Sequence, residues 1–137
     1  GGPVIDRLAR QASAPAPAFS CAEMPGTYDF SFSGIKTAVL YYHQKNEVRD
    51  SAHKAGIVRA FQESVVSILV KKCIAACRDF RIRNLIIGGG VAANSRLREA
   101  LGEAATSNSI KVYSPALNLC MDNAAMVAGL AYHRLKN

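Results

Sequence analysis

Asn84-Leu-Ile-Ile-Gly88-Gly89-Gly90-Val-Ala-Ala-Asn94-Ser-Arg-Leu-Arg98 reads as a short apolar strand, a triple-glycine turn and the polar opening of a helix. Glycine has no Cβ, so such a turn can adopt φ > 0 and lets a ligand lie close to the backbone. Between a buried strand and a helix N-terminus, it stands where α/β proteins hold nucleotides. It is no Walker A loop, because no Gly-Lys-Ser/Thr follows. It is no full Rossmann fingerprint either: Gly88-x-Gly90 lacks the third glycine, and Asn94 sits near that place. Asn94 either caps the next helix or hydrogen-bonds a ribose or base, and the sequence leaves both open.

Working outward, the pattern predicts a strand over Leu85–Ile87, a helix from about Ser95 to Thr106 and a strand over Ile110–Tyr113. A loop over Ser114–Met121 follows, then a last helix opened by Asp122-Asn-Ala-Ala-Met126. Upstream, a long helix is expected from about Arg49 to Phe80, with a break near Gly56. Phe61, Val65, Ile68 and Leu69 fall on one side of it, and Val58, Val66, Val70, Ile74 and Cys77 make another apolar row. Only Arg59, Glu63, Ser67, Lys71 and Arg78 form a polar stripe, so this helix should be central and packed on two sides. Strand-helix-strand-helix order implies a parallel sheet with ligands at the strands' carboxyl ends. The glycine turn and the loop before Asp122 both lie there and should be neighbours.

The first third is less regular. Val4–Ala12 suits a short helix entered through Gly-Gly-Pro, and Ser13–Ala18 is a Pro/Ala connector that cannot continue it. Phe19–Pro25 is expected as a short edge strand. Tyr28-Asp-Phe-Ser-Phe-Ser33 alternates like a strand, and Ser33 is the expected cap of a helix running to about Asn46. Lys36 stands in that helix's first turn, against the dipole preference for acids, which suits an anionic partner or a snorkelling surface side chain.

The 137 residues make one domain-sized unit carrying a net charge of +7. That balance favours a polyanionic partner such as RNA, and Lys71, Lys72, Arg78, Arg81 and Arg83 are its densest run. No apolar run reaches the ~18 residues that would span a bilayer. No signal peptide is legible, so a cytoplasmic location is expected; the missing initiator Met suggests a piece of a longer protein. Cys73 and Cys77 are spaced i, i+4, unlike a zinc knuckle, and the four cysteines (with Cys21 and Cys120) read as reduced core residues.

Chemistry-bearing residues are few. Asp122 stands at a loop-to-helix junction, where Asp is commonly an N-cap but also suits a hard or borderline cation. Asp6 lies one turn into the first helix, placed for a ligand's hydroxyls or for the helix dipole. His43, His53 and His133 form neither HxxxH nor HExxH, so no complete metal site and no metalloprotease motif is present. No Ser-His-Asp or Cys-His arrangement is legible, so no catalytic nucleophile is assigned.

In order, Gly-Gly-Pro-x-x-Asp6, Asp29-Phe-Ser-Phe-Ser-Gly-Ile-Lys-Thr37, Ala60-Phe-Gln62, Gly88-Gly-Gly-Val-Ala-Ala-Asn-Ser-Arg-Leu-Arg98 and Cys120-Met-Asp-Asn-Ala-Ala-Met126 resemble the tRNA-adenosine threonylcarbamoyltransferase family. The resemblance runs from Gly1 to about Gly129, and it is to the family's second lobe only. It implies that residues 1–137 are the C-terminal lobe of an actin/Hsp70/sugar-kinase ATPase-like fold: α/β, helix-rich, with a short mainly parallel sheet. It implies contacts to threonylcarbamoyl-adenylate or an ATP-like nucleotide from Gly2, Asp6 and Asn94, with backbone contacts at Gly89 and Gly90. Asp122 would be a ligand of one divalent metal ion, iron or zinc, shared with histidines of a first lobe. The implied partners are tRNA and the protein subunits of the modification complex, with no membrane. The isolated chain is expected not to catalyse. Rival readings are a lobe of a sugar or acetate kinase on the same fold, a non-catalytic partner protein of the superfamily, and the glycoprotease activity under which the family was once labelled.

Overall fold

The computed structural model describes residues 2–13, 17–20 and 22–136, and for Ala22 and Glu23 the backbone alone. Its spine is a helix of 29 residues, Ser51–Asp79. Before it come α1 (Gly2–Arg10), β1 (Ala22–Glu23), β2 (Phe30–Ser31) and α2 (Phe32–Lys45), which makes the spine α3. After it come β3 (Asn84–Ile86), α4 (Ser95–Ser107), β4 (Lys111–Tyr113) and α5 (Ala124–Leu135). Single 3-10 turns occupy Gly90–Ala93 and Leu117–Leu119.

The spine contacts α1, α2 and α4, as expected of a helix apolar around most of its circumference. The predicted break at Gly56 does not occur. Ala55, Gly56 and Ile57 are all buried, and that packing outweighs the ~1 kcal/mol a glycine costs a helix interior. Asp50 caps α3 by accepting from the His53 amide at 2.7 Å. Ile74 and Cys77 of α3, Leu101 and Ala105 of α4 and Ile110 form the buried core, with Leu85, Ile87 and Val112 packed against it from the sheet side. Cys73, Cys77 and Cys120 are free thiols; Cys21 lies outside the described residues. Burial, and then the neighbouring Cys77, push the Cys73 thiol above its ordinary range, as in an unreactive core cysteine.

Strands β3 and β4 pair in parallel, Asn84 opposite Lys111, Leu85 opposite Val112 and Ile86 opposite Tyr113. The parallel sheet and its αβ order are those the sequence predicts. A second pair, β1 with β2, is antiparallel. It occupies only part of each predicted strand, because α2 already begins at Phe32. The α2 cap is therefore Ser31, whose hydroxyl oxygen accepts from the Ser33 amide at 3.3 Å, and not Ser33. Similarly α1 begins at Gly2 rather than Val4, since Pro3 with its fixed φ suits a first helical turn. Part of the Pro/Ala connector, residues 14–16, lies outside the described residues.

Helix α5 is exposed along its length although it is rich in apolar residues, with Leu135 87% and Val127 69% exposed. Among the described residues, no helix is long and apolar enough to cross a membrane.

Candidate functional site

At the carboxyl end of β3 the glycine turn opens. Gly89 has φ +86°, in the region that L side chains rarely adopt, so glycine is required by the backbone at this position. At Gly88 and Gly90 the requirement is not internal: a Cβ on either would meet nothing within 4 Å. Space in front of the turn is thus left free by the chain itself. The 3-10 turn after it was not foreseen. It is closed by Ala92 N–H to the Gly89 carbonyl and Asn94 N–H to the Val91 carbonyl, both at 3.0 Å. Val-Ala-Ala is too short a run to carry a periodic signal.

Asn94 caps α4, its Oδ1 accepting from the Leu97 amide at 2.9 Å. It does more than cap. Its Nδ2 donates to Oε1 of Gln62 at 2.8 Å, which ties the glycine-turn segment to α3. Gln62 is only 5% exposed and is the one buried polar side chain among the described residues. Next to Asn94, the Ser95 hydroxyl donates to the Asp6 carboxylate, at 2.8 and 2.9 Å from its two oxygens. Arg10 flanks the same carboxylate at 3.5 Å. Asp6 and Asn94 are thus brought together through Ser95 from positions 88 residues apart, and Gly2 opens the helix that carries Asp6, one turn earlier.

Beside this network lies an open cleft of about 670 Å³ between α1, α3 and α4, lined among others by Arg10, Arg59, Gln62, Glu63, Ser95 and Arg96. Its charges are largely paired. Arg96 donates to Glu63 and to Glu99, each at 2.9 Å, and the hydrogen bond to Glu63 is the main reason its guanidinium holds its proton even more firmly than usual. Arg59 donates to the Ala12 carbonyl at 3.2 Å. A cleft with balanced charge and several fixed donors and acceptors suits a polar, hydrogen-bonding ligand better than a bare anion.

The second strand end is joined to the first by Arg98. Its Nε donates to the Ala92 carbonyl at 2.5 Å, its Nη2 to the Pro115 carbonyl at 2.7 Å and to Cys120 Sγ at 3.0 Å, and its Nη1 to Ser114 Oγ at 3.2 Å. One guanidinium thus fastens the 3-10 turn after the glycines to the loop after β4. The two loops are neighbours, as their topology requires. The Arg98-anchored loop leads two residues beyond Cys120 to Asp122. The α5 cap is Asn123, which accepts from the Met126 amide at 3.0 Å, so the capping alternative for Asp122 does not hold.

Asp122 is exposed and makes no ion pair among the described residues, and no cluster of three His, Cys, Asp or Glu that could hold a metal occurs among them. It offers one hard oxygen ligand, and the remaining donors would have to come from elsewhere. Lys36 is likewise exposed. The histidines are dispersed: His53 sits between the Tyr42 hydroxyl (3.2 Å) and the Arg49 amide (3.3 Å), His43 ends α2, and His133 packs on Tyr132.

Sequence reasoning assigned no role to Ser95, Arg98 or Arg96, all inside or beside the stretch it found decisive. Gln62 carried a signal that was legible: an amide on the apolar circumference of a central helix must find a polar partner.

A sequence profile described as tRNA N6-adenosine threonylcarbamoyltransferase matches residues 1–129. Relatives bearing that name include one from Persephonella marina, 46% identical over 140 residues that cover 99% of this chain and 39% of the relative. One from Endomicrobium trichonymphae is 39% identical, covering 99% of this chain and 40% of the relative. One from Kosmotoga olearia is 42% identical, with the same coverage of 99% and 40%. The chain spans about two-fifths of the length of the relatives it matches.

Proposed function

Because this chain belongs to the tRNA N6-adenosine threonylcarbamoyltransferase family, we propose that it is the C-terminal lobe of an acyltransferase that modifies tRNA. In the proposed reaction the exocyclic amine of a tRNA adenosine next to the anticodon attacks the carbamoyl carbonyl of threonylcarbamoyl-adenylate. The new C–N bond forms as the bond to the phosphate oxygen breaks, AMP leaves, and the amine gives up a proton.

The observation that carries this reading is the Asp6–Ser95 hydrogen bond beside Asn94 and the 670 Å³ cleft. It gathers a carboxylate, a hydroxyl and an amide of the kind that hold the hydroxyls and ring nitrogens of an adenosine. In this scheme the open face of Gly88–Gly90 lies against the nucleoside, Asp6 and Ser95 hold the ribose, and Asn94 orients the base edge. Gly2 admits the ligand at the head of α1, and Gly89 and Gly90 contribute backbone. A divalent ion, iron or zinc, would polarise the carbamoyl carbonyl, with Asp122 as the ligand from this chain. The described residues include no Ser-His-Asp or Cys-His arrangement, which suits direct transfer without a covalent enzyme intermediate. Partner subunits and a cytoplasmic site of action belong to the same proposal.

The test is transfer of a labelled threonylcarbamoyl group to tRNA by a full-length protein carrying this segment. Full-length protein should transfer, Asp6→Ala and Asp122→Ala should each lower the rate at least tenfold, and the isolated 137 residues should give none. Robust turnover by the isolated chain, or unchanged rates in both variants, would contradict the proposal.

A further inference from the structure

Far from the strands' carboxyl ends, the turn between α3 and β3 breaks two local rules at once. Arg81 has φ +55°, a position where glycine is the default C-terminal residue of a helix and where any other residue is strained. The closure around it is well formed, with Ile82 N–H on the Cys77 carbonyl at 2.8 Å and Arg81 N–H on the Arg78 carbonyl at 3.1 Å. Immediately before it, Phe80 leaves 65% of its surface in solvent. Its one ring neighbour among the described residues is Tyr28, at 5.6 Å between centroids and itself exposed. The Tyr28 hydroxyl donates to Asp79 at 2.7 Å, so the acid of this turn is engaged and the ring is held in place.

Arginines 78, 81 and 83 are all exposed, and none forms an ion pair among the described residues. Strand pairing brings Lys111 alongside, its amide donating to the Arg83 carbonyl at 2.7 Å. A helix-terminal dipole explains a cation at position 78. It does not explain a strained arginine at 81, another at 83 and an exposed phenyl ring just before them. Arginines and a free aromatic face are what single-stranded nucleic acid requires: cations for phosphates and a π-surface for bases, in chains with no fixed sequence preference. A protein partner would leave the charge of these cations to be matched by acids; a polyanion matches them without further provision.

We propose that Phe80, Tyr28, Arg78, Arg81, Arg83 and Lys111 form a binding surface for an unpaired RNA segment, remote from the glycine-turn cleft. It rests on the transferase reading only for the identity of the RNA as tRNA, and binding is read without any reaction. The experiment is fluorescence anisotropy of the full chain with a labelled single-stranded RNA oligonucleotide, titrated across salt concentrations. Arg81→Ala/Arg83→Ala should flatten the log–log salt dependence by about 1.4, two phosphates at roughly 0.7 each. Phe80→Leu, which keeps the apolar bulk, should weaken binding about 5- to 100-fold and leave the salt slope unchanged. Lys45→Ala/Lys54→Ala, exposed cations elsewhere, removes the same charge and should leave affinity within about twofold. Equal losses in the two double variants would mean that net charge alone attracts RNA and would overturn the surface, as would unchanged binding in Arg81→Ala/Arg83→Ala. RNA binding with these signatures, combined with no transfer by the full-length protein, would keep this surface and discard the transferase reading. Transfer with none of these signatures would do the reverse.

Discussion

Replacing Arg98 with alanine removes the guanidinium that fastens the glycine-turn segment to the loop leading to Asp122. Four acceptors lose a donor: the Ala92 and Pro115 carbonyls at 2.5 and 2.7 Å, Cys120 Sγ at 3.0 Å and Ser114 Oγ at 3.2 Å. Hydrogen bonds to a charged group contribute about 1.5–3 kcal/mol each, and water replaces part of that where the site is half open. Letting water replace about a third of the two short bonds and setting the two longer ones aside gives about 2–4 kcal/mol. Most of this should appear locally, because the loop between β4 and α5 has few other anchors. Besides Arg98 it is held by short-range bonds: Leu119 N–H on the Ala116 carbonyl at 2.9 Å, Cys120 N–H on the Leu117 carbonyl at 3.3 Å, and Asn123 Nδ2 on the Met121 and Leu119 carbonyls at 2.9 and 3.4 Å. Amide hydrogen exchange at Leu119 and Cys120 should therefore quicken roughly 30- to 700-fold, since about 1.4 kcal/mol is one decade. The core amides of α4 around Leu101 should change far less. Arg98→Lys keeps the charge but not the fork, so it should recover only part of the protection. Unchanged exchange at Leu119 and Cys120 would refute the latch. So would equal acceleration at Leu101, which would make Arg98 a general stability residue.

Three further outcomes follow from the geometry. Gly89→Ala, forced to φ +86°, should cost about 1–3 kcal/mol in thermal or chemical unfolding, whereas Gly90→Ala, with open space before it, should cost under ~1 kcal/mol yet weaken nucleotide binding in calorimetry. Asn94→Ala should cost about 2–3 kcal/mol, a lost cap plus an orphaned Gln62 carbonyl, while Asn94→Asp should keep the cap; denaturant midpoints compare the two. The hydrogen bond to Asp79 holds the exposed Tyr28 phenol above its ordinary 10.0, with slight desolvation and the Asp79 charge adding to the effect. The native state then keeps a proton that the unfolded chain has lost, so this tie supports the fold below pH ~10 and fades as pH climbs through the raised value. By NMR, the alkaline change in the Tyr28 ring signals should occur at higher pH than in Asp79→Asn, and identical midpoints would contradict the tie.

How much of this was written in the sequence varies with the physics behind each part. The strand, glycine turn, α4 and β4 were legible because each has its own signal: an apolar run bounded by Gly, a capping Asn, β-branched Val112 between polar neighbours. Continuity of α3 through Gly56 was not, because burial of Ala55–Ile57 is a tertiary fact and propensity is only a weak prior. The caps of α2 and α5 each fell within two residues of the favoured one, on Ser31 and Asn123, since nearby polar side chains compete for one geometry. Asp6, Asn94 and Asp122 stood out by local pattern, and their roles and that of Gly2 came from family resemblance; the joining of Asp6 to Asn94 through Ser95, and of the two loops through Arg98, depends on contacts no local pattern encodes.

The most direct test of the central reading is mass spectrometry of nucleosides from tRNA in cells with and without the full-length gene that encodes this segment. The account predicts that threonylcarbamoyl-adenosine vanishes without the gene and returns with the wild-type copy but not with Asp6→Ala/Asp122→Ala. Threonylcarbamoyl-adenosine persisting at wild-type levels without any copy of the gene would contradict it.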